Sequence, residues 1–237
     1  MADYSTTREA AYAAPQEQVE RISAFLRSVY GWMCLGLVIT ALTAGFVASS
    51  PALVGAVIAN RVVFWGLVIA QLGIVLVISG RIQKLAASTA SALFVAYSAL
   101  TGVTMSVILL AFTGESIAST FLVTAGMFGA MAAYGTLTQR SLAGWGQFLF
   151  MGLIGVVLAS LVGIFWQNDG FQFVTAFIGV IVFTGLAAYD AQRMKAMALA
   201  TPSGQVGSYA ILGALTLYLD FINMFLFLLQ LFGSRRR

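Results

Sequence analysis

Two aspartates, Asp190 and Asp220, lie in the last two apolar segments of the sequence. Asp220 is well inside a long apolar run, where its carboxyl group cannot extend to water, so it should face a helix bundle, a partner or a wet cavity. The alternative is a protonated acid that holds neighbouring helices together by hydrogen bonds. We interpret Asp220 as a candidate functional residue.

Polar neighbours of Asp220 indicate which face of the segment is important. Thr216 precedes it by four residues and Asn223 follows it by three, so the three side chains share one face of a helix. They form a polar stripe on an otherwise apolar segment. We therefore predict a polar partner across this face.

Asp190 lies near the inner end of the preceding apolar segment, three residues before Arg193. An ordinary surface ion pair with Arg193, which contributes little energetically, is one account of it. A functional interpretation requires that Asp190 meets Asp220. Two carboxyl groups in one site would titrate as a unit, and the pair could sense pH or hold a cation loosely.

Two cations follow the second apolar run, Arg81 and Lys84. Both are predicted on the same side of the membrane as Asp190, so either is a candidate partner for its carboxylate. The alternative is that they are only the positive charges that accumulate on cytoplasmic loops.

The composition is that of a membrane protein, with 60% hydrophobic and 8% charged residues and a mean hydropathy of +0.95. A helix needs about 20 apolar residues to cross a bilayer. We predict an all-α membrane protein, a bundle of about seven transmembrane helices. The predicted spans are Ser28–Ala48, Val62–Ser79, Leu85–Phe112, Ile117–Leu137, Phe148–Phe165, Phe171–Tyr189 and Val206–Phe232.

The chain divides into a flexible aqueous tail at 1–24, a transmembrane domain at 25–233 and a basic end at 234–237. Most lysines and arginines fall on the cytoplasmic side if the N-terminus is cytoplasmic. The terminal arginines then lie outside if the last segment crosses fully. Full crossing and re-entry of the last segment both stay open.

Several functions are excluded by what the sequence lacks. Histidine is absent and there is a single cysteine, which excludes catalysis by histidine, intramolecular disulfides and most zinc or haem ligation. No nucleotide-binding loop is present, so pumping driven by ATP is not expected. The cations are scattered between apolar runs and do not form a nucleic-acid patch. We expect no cofactor.

Four stretches of the sequence are characteristic: Thr101–Thr104, Thr124–Gly135, Tyr189–Asp190 and Leu217–Phe225. Together they resemble the transmembrane Bax inhibitor motif family, in its bacterial branch. The resemblance implies seven helices with the last one central, located in the bacterial inner membrane. It also implies that Asp190 and Asp220 form a pH-responsive latch in a calcium leak, with a basic residue, Arg81 or Lys84, completing the latch.

Three functional hypotheses follow. The first is a passive, pH-sensitive cation leak in which Asp190 and Asp220 form a weak calcium site, with the lipid bilayer and calcium or protons as partners. The second is a regulatory membrane protein that modulates a membrane protease or a stress-response partner. The third, an intramembrane aspartyl protease, is disfavoured because an intact helical pattern precedes Asp220, whereas those enzymes have a glycine-containing motif there. We therefore expect no enzymatic activity.

Overall fold

The computed structural model describes residues 4–166 and 168–236, with side chains from residue 16 onward except 57–59 and 61. The described residues form helices connected by short turns, without a β-sheet. Two single-turn 3-10 helices, Ile82–Lys84 and Ser203–Gln205, precede the fourth and eighth α-helices. The α-helices are α1 (Tyr4–Ala48), α2 (Pro51–Ala59), α3 (Arg61–Arg81), α4 (Ala87–Ala111), α5 (Gly114–Leu137), α6 (Ala143–Phe165), α7 (Asp169–Ala200) and α8 (Val206–Phe232).

Seven of these helices, all except α2, are long and apolar enough to cross a membrane. This confirms the predicted all-α membrane fold and its seven spans. Large apolar side chains cover the outward faces, including Leu42, Leu76 and Phe165. In water such a surface would be unfavourable, whereas in a bilayer it faces hydrocarbon.

The structure differs from the predicted segments at several places, of which α2 and the end of α7 are the largest. The stretch that begins at Pro51, predicted as a connector, forms the short helix α2, because proline is well accommodated at the first position of a helix. Helix α7 continues past Tyr189 to Ala200, because the segment there is rich in residues that favour helix, such as alanine and methionine. A helix can continue beyond the apolar region that hydropathy detects.

The first helix begins at Tyr4, within the segment predicted as a tail. The division of the chain into a tail at 1–24, a membrane domain at 25–233 and a basic end at 234–237 stays a prediction.

Helix α8 is the most buried of the seven spans, and it contacts α1, α4, α5 and α7. Tyr218 anchors it to α1, because its hydroxyl lies 2.6 Å from that of Thr40. The Thr40 hydroxyl also lies 2.9 Å from the carbonyl oxygen of Ser98 in α4. These contacts hold α8 at a defined rotation, while the central position that the resemblance implies stays a prediction.

Hydrogen bonds connect the start of α8 to the start of α4 and the end of α8 to the end of α4. At its start, the Ser208 hydroxyl donates a hydrogen bond to the carbonyl of Leu85, at 2.8 Å. Just beyond its end, the amide of Thr113 donates to the carbonyl of Ser234, at 3.0 Å, and the amide of Arg236 donates to that of Ala111. Helix α8 therefore runs in the same direction as α4 from one end of the bundle to the other, which favours full crossing over re-entry.

This geometry predicts the location of the C-terminus. With a cytoplasmic N-terminus, alkaline phosphatase fused after the last residue should be active, because α4 and α8 both end on the periplasmic side. A green fluorescent protein fused at the same place should not fluoresce. Fusions at Arg140, in the connector after α5, should show the opposite behaviour, and a fluorescent C-terminal fusion would contradict the assignment.

Candidate functional site

Close packing of α7 against α8 brings the two aspartates together. Glycines at both ends of this interface leave room for large side chains of the other helix. A Cβ atom on Gly179 of α7 would lie 2.6 Å from the ring of Phe227, and one on Gly213 of α8 would lie 2.6 Å from the sulfur of Met194. With larger residues at these positions, the helices would be pushed apart.

The side chains of Asp190 and Asp220 are neighbours across the interface between α7 and α8. Both residues are buried, with 6% and 5% of their surface exposed. Oδ2 of Asp220 has no hydrogen-bond partner among the described residues. Two ionised carboxylates in this position would repel each other strongly in a low-dielectric interior. A shared proton or a bound cation would relieve that repulsion.

The pair opens onto a cavity of about 490 Å³ between α6, α7 and α8. Thr216 and Asn223 line the same cavity, so the whole polar stripe of α8 faces it. The Thr216 hydroxyl donates to the carbonyl of Leu212, and the Asn223 amide donates to that of Leu219, at 2.8 Å. Because these donors are used within α8, the oxygen atoms of both side chains remain as acceptors towards the cavity.

Arg193 is the cation nearest to the pair. Its Nη1 atom lies 3.9 Å from Oδ1 of Asp190, and 60% of its side chain is exposed. At this distance, and with its cation mostly exposed to solvent, the ion pair contributes little stability. The ion pair between Asp190 and Arg193 that the sequence suggested is therefore present, and it coexists with the contact to Asp220.

Arg81 and Lys84 lie elsewhere. Both are exposed at the end of α3 and in the turn that follows it. Neither is among the residues that line the cavity, and the only ion pair within the described part of the chain is that of Arg193 with Asp190. The structure does not bring the candidate latch cations to the aspartates, and their role stays a prediction.

Gln147 of α6 lines the cavity opposite the aspartates, and sequence reasoning missed it. The predicted span began at Phe148, whereas the helix begins at Ala143. A single polar residue at the edge of an apolar run was the available signal. Gln192 was also missed: it accepts a hydrogen bond from the amide of Leu142 at 2.7 Å and thereby positions the start of α6.

The cavity offers oxygen ligands but few charges. No group of three or more potential metal-binding side chains occurs in the part of the chain that the structure describes. Two carboxylates with a few neutral oxygens suit weak cation binding, whereas tight calcium sites use about six to eight oxygen ligands.

Fold and site together define a multi-pass α-helical membrane protein with a carboxyl pair inside the bundle. Sequence comparison then identifies the family. The family described as "Inhibitor of apoptosis-promoting Bax1" matches residues 22–237. The chain belongs to this Bax inhibitor family, which confirms the resemblance and, with the seven apolar helices, the multi-pass membrane localisation.

Bacterial relatives match nearly the whole chain. "Inner membrane protein YbhL" of Escherichia coli K12 is 51% identical over 218 residues, which cover 91% of this chain and 93% of that protein. An uncharacterized protein of Borreliella burgdorferi is 42% identical, covering 90% and 92%. One of Deinococcus radiodurans is 40% identical, covering 93% and 94%. The similarity therefore extends over the whole membrane domain.

Proposed function

We propose that this protein is a passive, pH-sensitive cation leak channel of the bacterial inner membrane, with calcium as the transported ion. The observation that supports it most is the pair of neighbouring, buried carboxyl groups at a cavity that Thr216 and Asn223 also line. Ionisable residues inside membrane spans commonly belong to ion or proton pathways. The inner membrane is the location named for the relative from Escherichia coli.

Weak binding is what a leak requires. An ion in the cavity would meet the carboxylates of Asp190 and Asp220, the side-chain oxygens of Thr216 and Asn223, and water. This set is smaller than a tight calcium cage, so the ion would be released quickly. No step requires catalysis or a cofactor, and the chain would act as a conduit and not as an enzyme.

Protons would control the conduit through helix packing. When one proton is shared, the two carboxyl groups form a hydrogen bond that holds α7 and α8 together. When both are ionised, repulsion favours separation of the helices or binding of a cation. The protonation state of the pair thereby shifts an equilibrium between a closely packed and a separated arrangement of α7 and α8. Calcium flux should fall as the pH falls, because more pairs then hold the shared proton.

Calcium flux into liposomes that contain the purified protein tests the proposal. We expect an indicator trapped inside to report calcium entry without ATP, and entry should be faster at pH 8 than at pH 6 because fewer pairs hold the shared proton. Liposomes prepared without protein are the control. Flux equal to that of the empty liposomes at every pH would contradict the conduit and leave the regulatory hypothesis in its place.

A further inference from the structure

The polar stripe of α8 continues beyond the aspartate cavity. Gln230 lies seven residues after Asn223, on the same helix face, and Phe227 lies between them. Along this face, the residues from Thr216 to Gln230 follow one another at alternating spacings of four and three. Phe227 is the only apolar residue in this row. An apolar residue inside a polar row divides it into two parts.

A second cavity, of about 210 Å³, lies at the far end of the same face. Its polar lining comes from all three helices: Ser160 of α6, Gln172 and Thr175 of α7, and Gln230 of α8. This is the end where α6 stops and α7 begins, which is periplasmic in the orientation predicted by the charges. We call it the outer cavity, and the one at the aspartates the inner cavity.

An aromatic pair separates the two cavities. The rings of Phe183 and Phe227 are stacked, with centroids 5.9 Å apart and an angle of 30° between their planes. Phe183 lines the inner cavity. Gly179 leaves the space that the ring of Phe227 occupies. The pair therefore fills the groove along α7 between Asn223 and Gln230.

Lipid cannot satisfy the hydroxyl, amide and carboxylate groups that line the two cavities, so we expect water in both. At about 30 Å³ per water molecule, the inner cavity has room for roughly 16 and the outer for roughly 7. A hydrophobic constriction between two hydrated regions blocks ions because it excludes water.

We infer that the groove between α6 and α8 is the route of the ion, with Phe227 and Phe183 as its gate. The outer cavity is a second, uncharged site for a hydrated cation, held by the side-chain oxygens of Gln172, Thr175 and Gln230. This inference rests on the proposed function, because it assigns the entrance and the gate of that same conduit.

Thiol labelling tests the route independently of ion flux. Cys34 is the only cysteine, so Cys34→Ser gives a background free of thiols for Asn223→Cys and Gln230→Cys. A cationic, membrane-impermeant methanethiosulfonate is added outside spheroplasts. We expect Gln230→Cys to react readily and Asn223→Cys slowly. Adding Phe227→Ala should speed the reaction of Asn223→Cys at least about tenfold, because the constriction is removed.

Phe173→Ala is the matched control, since Phe173 lies on α7 with 59% of its surface exposed, away from the groove. It should leave the labelling of Asn223→Cys unchanged. If Phe227→Ala protein is not recovered, Phe227→Leu, which also removes the ring, provides the same comparison. Equal labelling of Asn223→Cys with and without the Phe227 substitution would overturn the gate.

Calcium flux through the same variants separates this inference from the proposed function. Phe227→Ala should raise passive flux several-fold, while Phe173→Ala should not. Faster labelling with flux no greater than in empty liposomes would support the water-filled route and contradict the calcium leak. Measurable flux with unchanged labelling would support the leak and contradict this route.

Discussion

Substitution of either Asp190 or Asp220 by asparagine should flatten the pH dependence of calcium flux. Asparagine retains the shape and polarity of the side chain but cannot exchange a proton, so the repulsion that links proton binding to helix packing disappears. If that linkage contributes about 1.4 kcal/mol, flux through the native protein changes about tenfold across the titration. In each variant the change should be less than about twofold.

The double substitution distinguishes a coupled pair from two separate carboxylates. Each single substitution already breaks the pair, so the double variant should behave like either single one. Asp169→Asn is the matched control, because Asp169 is exposed in the first turn of α7, and it should retain the native profile. Additive effects, or a native profile in Asp220→Asn, would remove the pair from the mechanism and leave Asp220 as a structural residue.

The largest effect on stability is expected from Gly135→Ala. Gly135 is buried in α5, and a Cβ atom there would overlap the carbonyl oxygen of Ala188 in α7 and lie 2.8 Å from its carbonyl carbon. Backbone atoms cannot move aside by changing rotamer, so the two helices must separate. We expect a loss of about 3 kcal/mol and a fall of about 5–10 °C in the unfolding midpoint in detergent.

Gly126→Ala is the matched control for this substitution. Gly126 lies in the same helix, and nothing is within 4 Å of the position that its Cβ would occupy. Its unfolding midpoint should remain the same or rise slightly, because alanine favours helix over glycine by about 1 kcal/mol. Equal midpoints for the two variants would show that α5 and α7 do not need this close contact. Because Ala188 precedes Asp190 by two residues, Gly135→Ala should also reduce flux.

The seven spans and the position of Asp220 inside the last of them were predictable because both depend on local sequence. A long apolar run identifies a membrane helix by itself, and an acidic residue inside it is conspicuous. Segment ends were less predictable. Helix α2 and the extension of α7 to Ala200 lie where hydropathy falls but helix formation continues.

The composition of the cavity was only partly predictable. Thr216 and Asn223 follow from helical spacing, and the structure places both beside the aspartates. Gln147 comes from a helix far away in sequence, so no local pattern could connect it with Asp220. Arg81 and Lys84 were predicted on the same side of the membrane as Asp190, but neither lines the cavity. Location on one side of the membrane does not by itself bring a side chain to the site.

The sequence by itself determined the class of the protein, the number of its spans and the helix face that bears Asp220. Only the tertiary structure decided that Asp190 meets Asp220 and that Phe227 stacks on Phe183 between two cavities. The physical reason is that lipid and helix interfaces are both apolar, so hydropathy does not reveal which faces of two helices turn towards each other. The rotation of each helix about its own axis depends on close contacts, such as the one between Gly179 and the ring of Phe227.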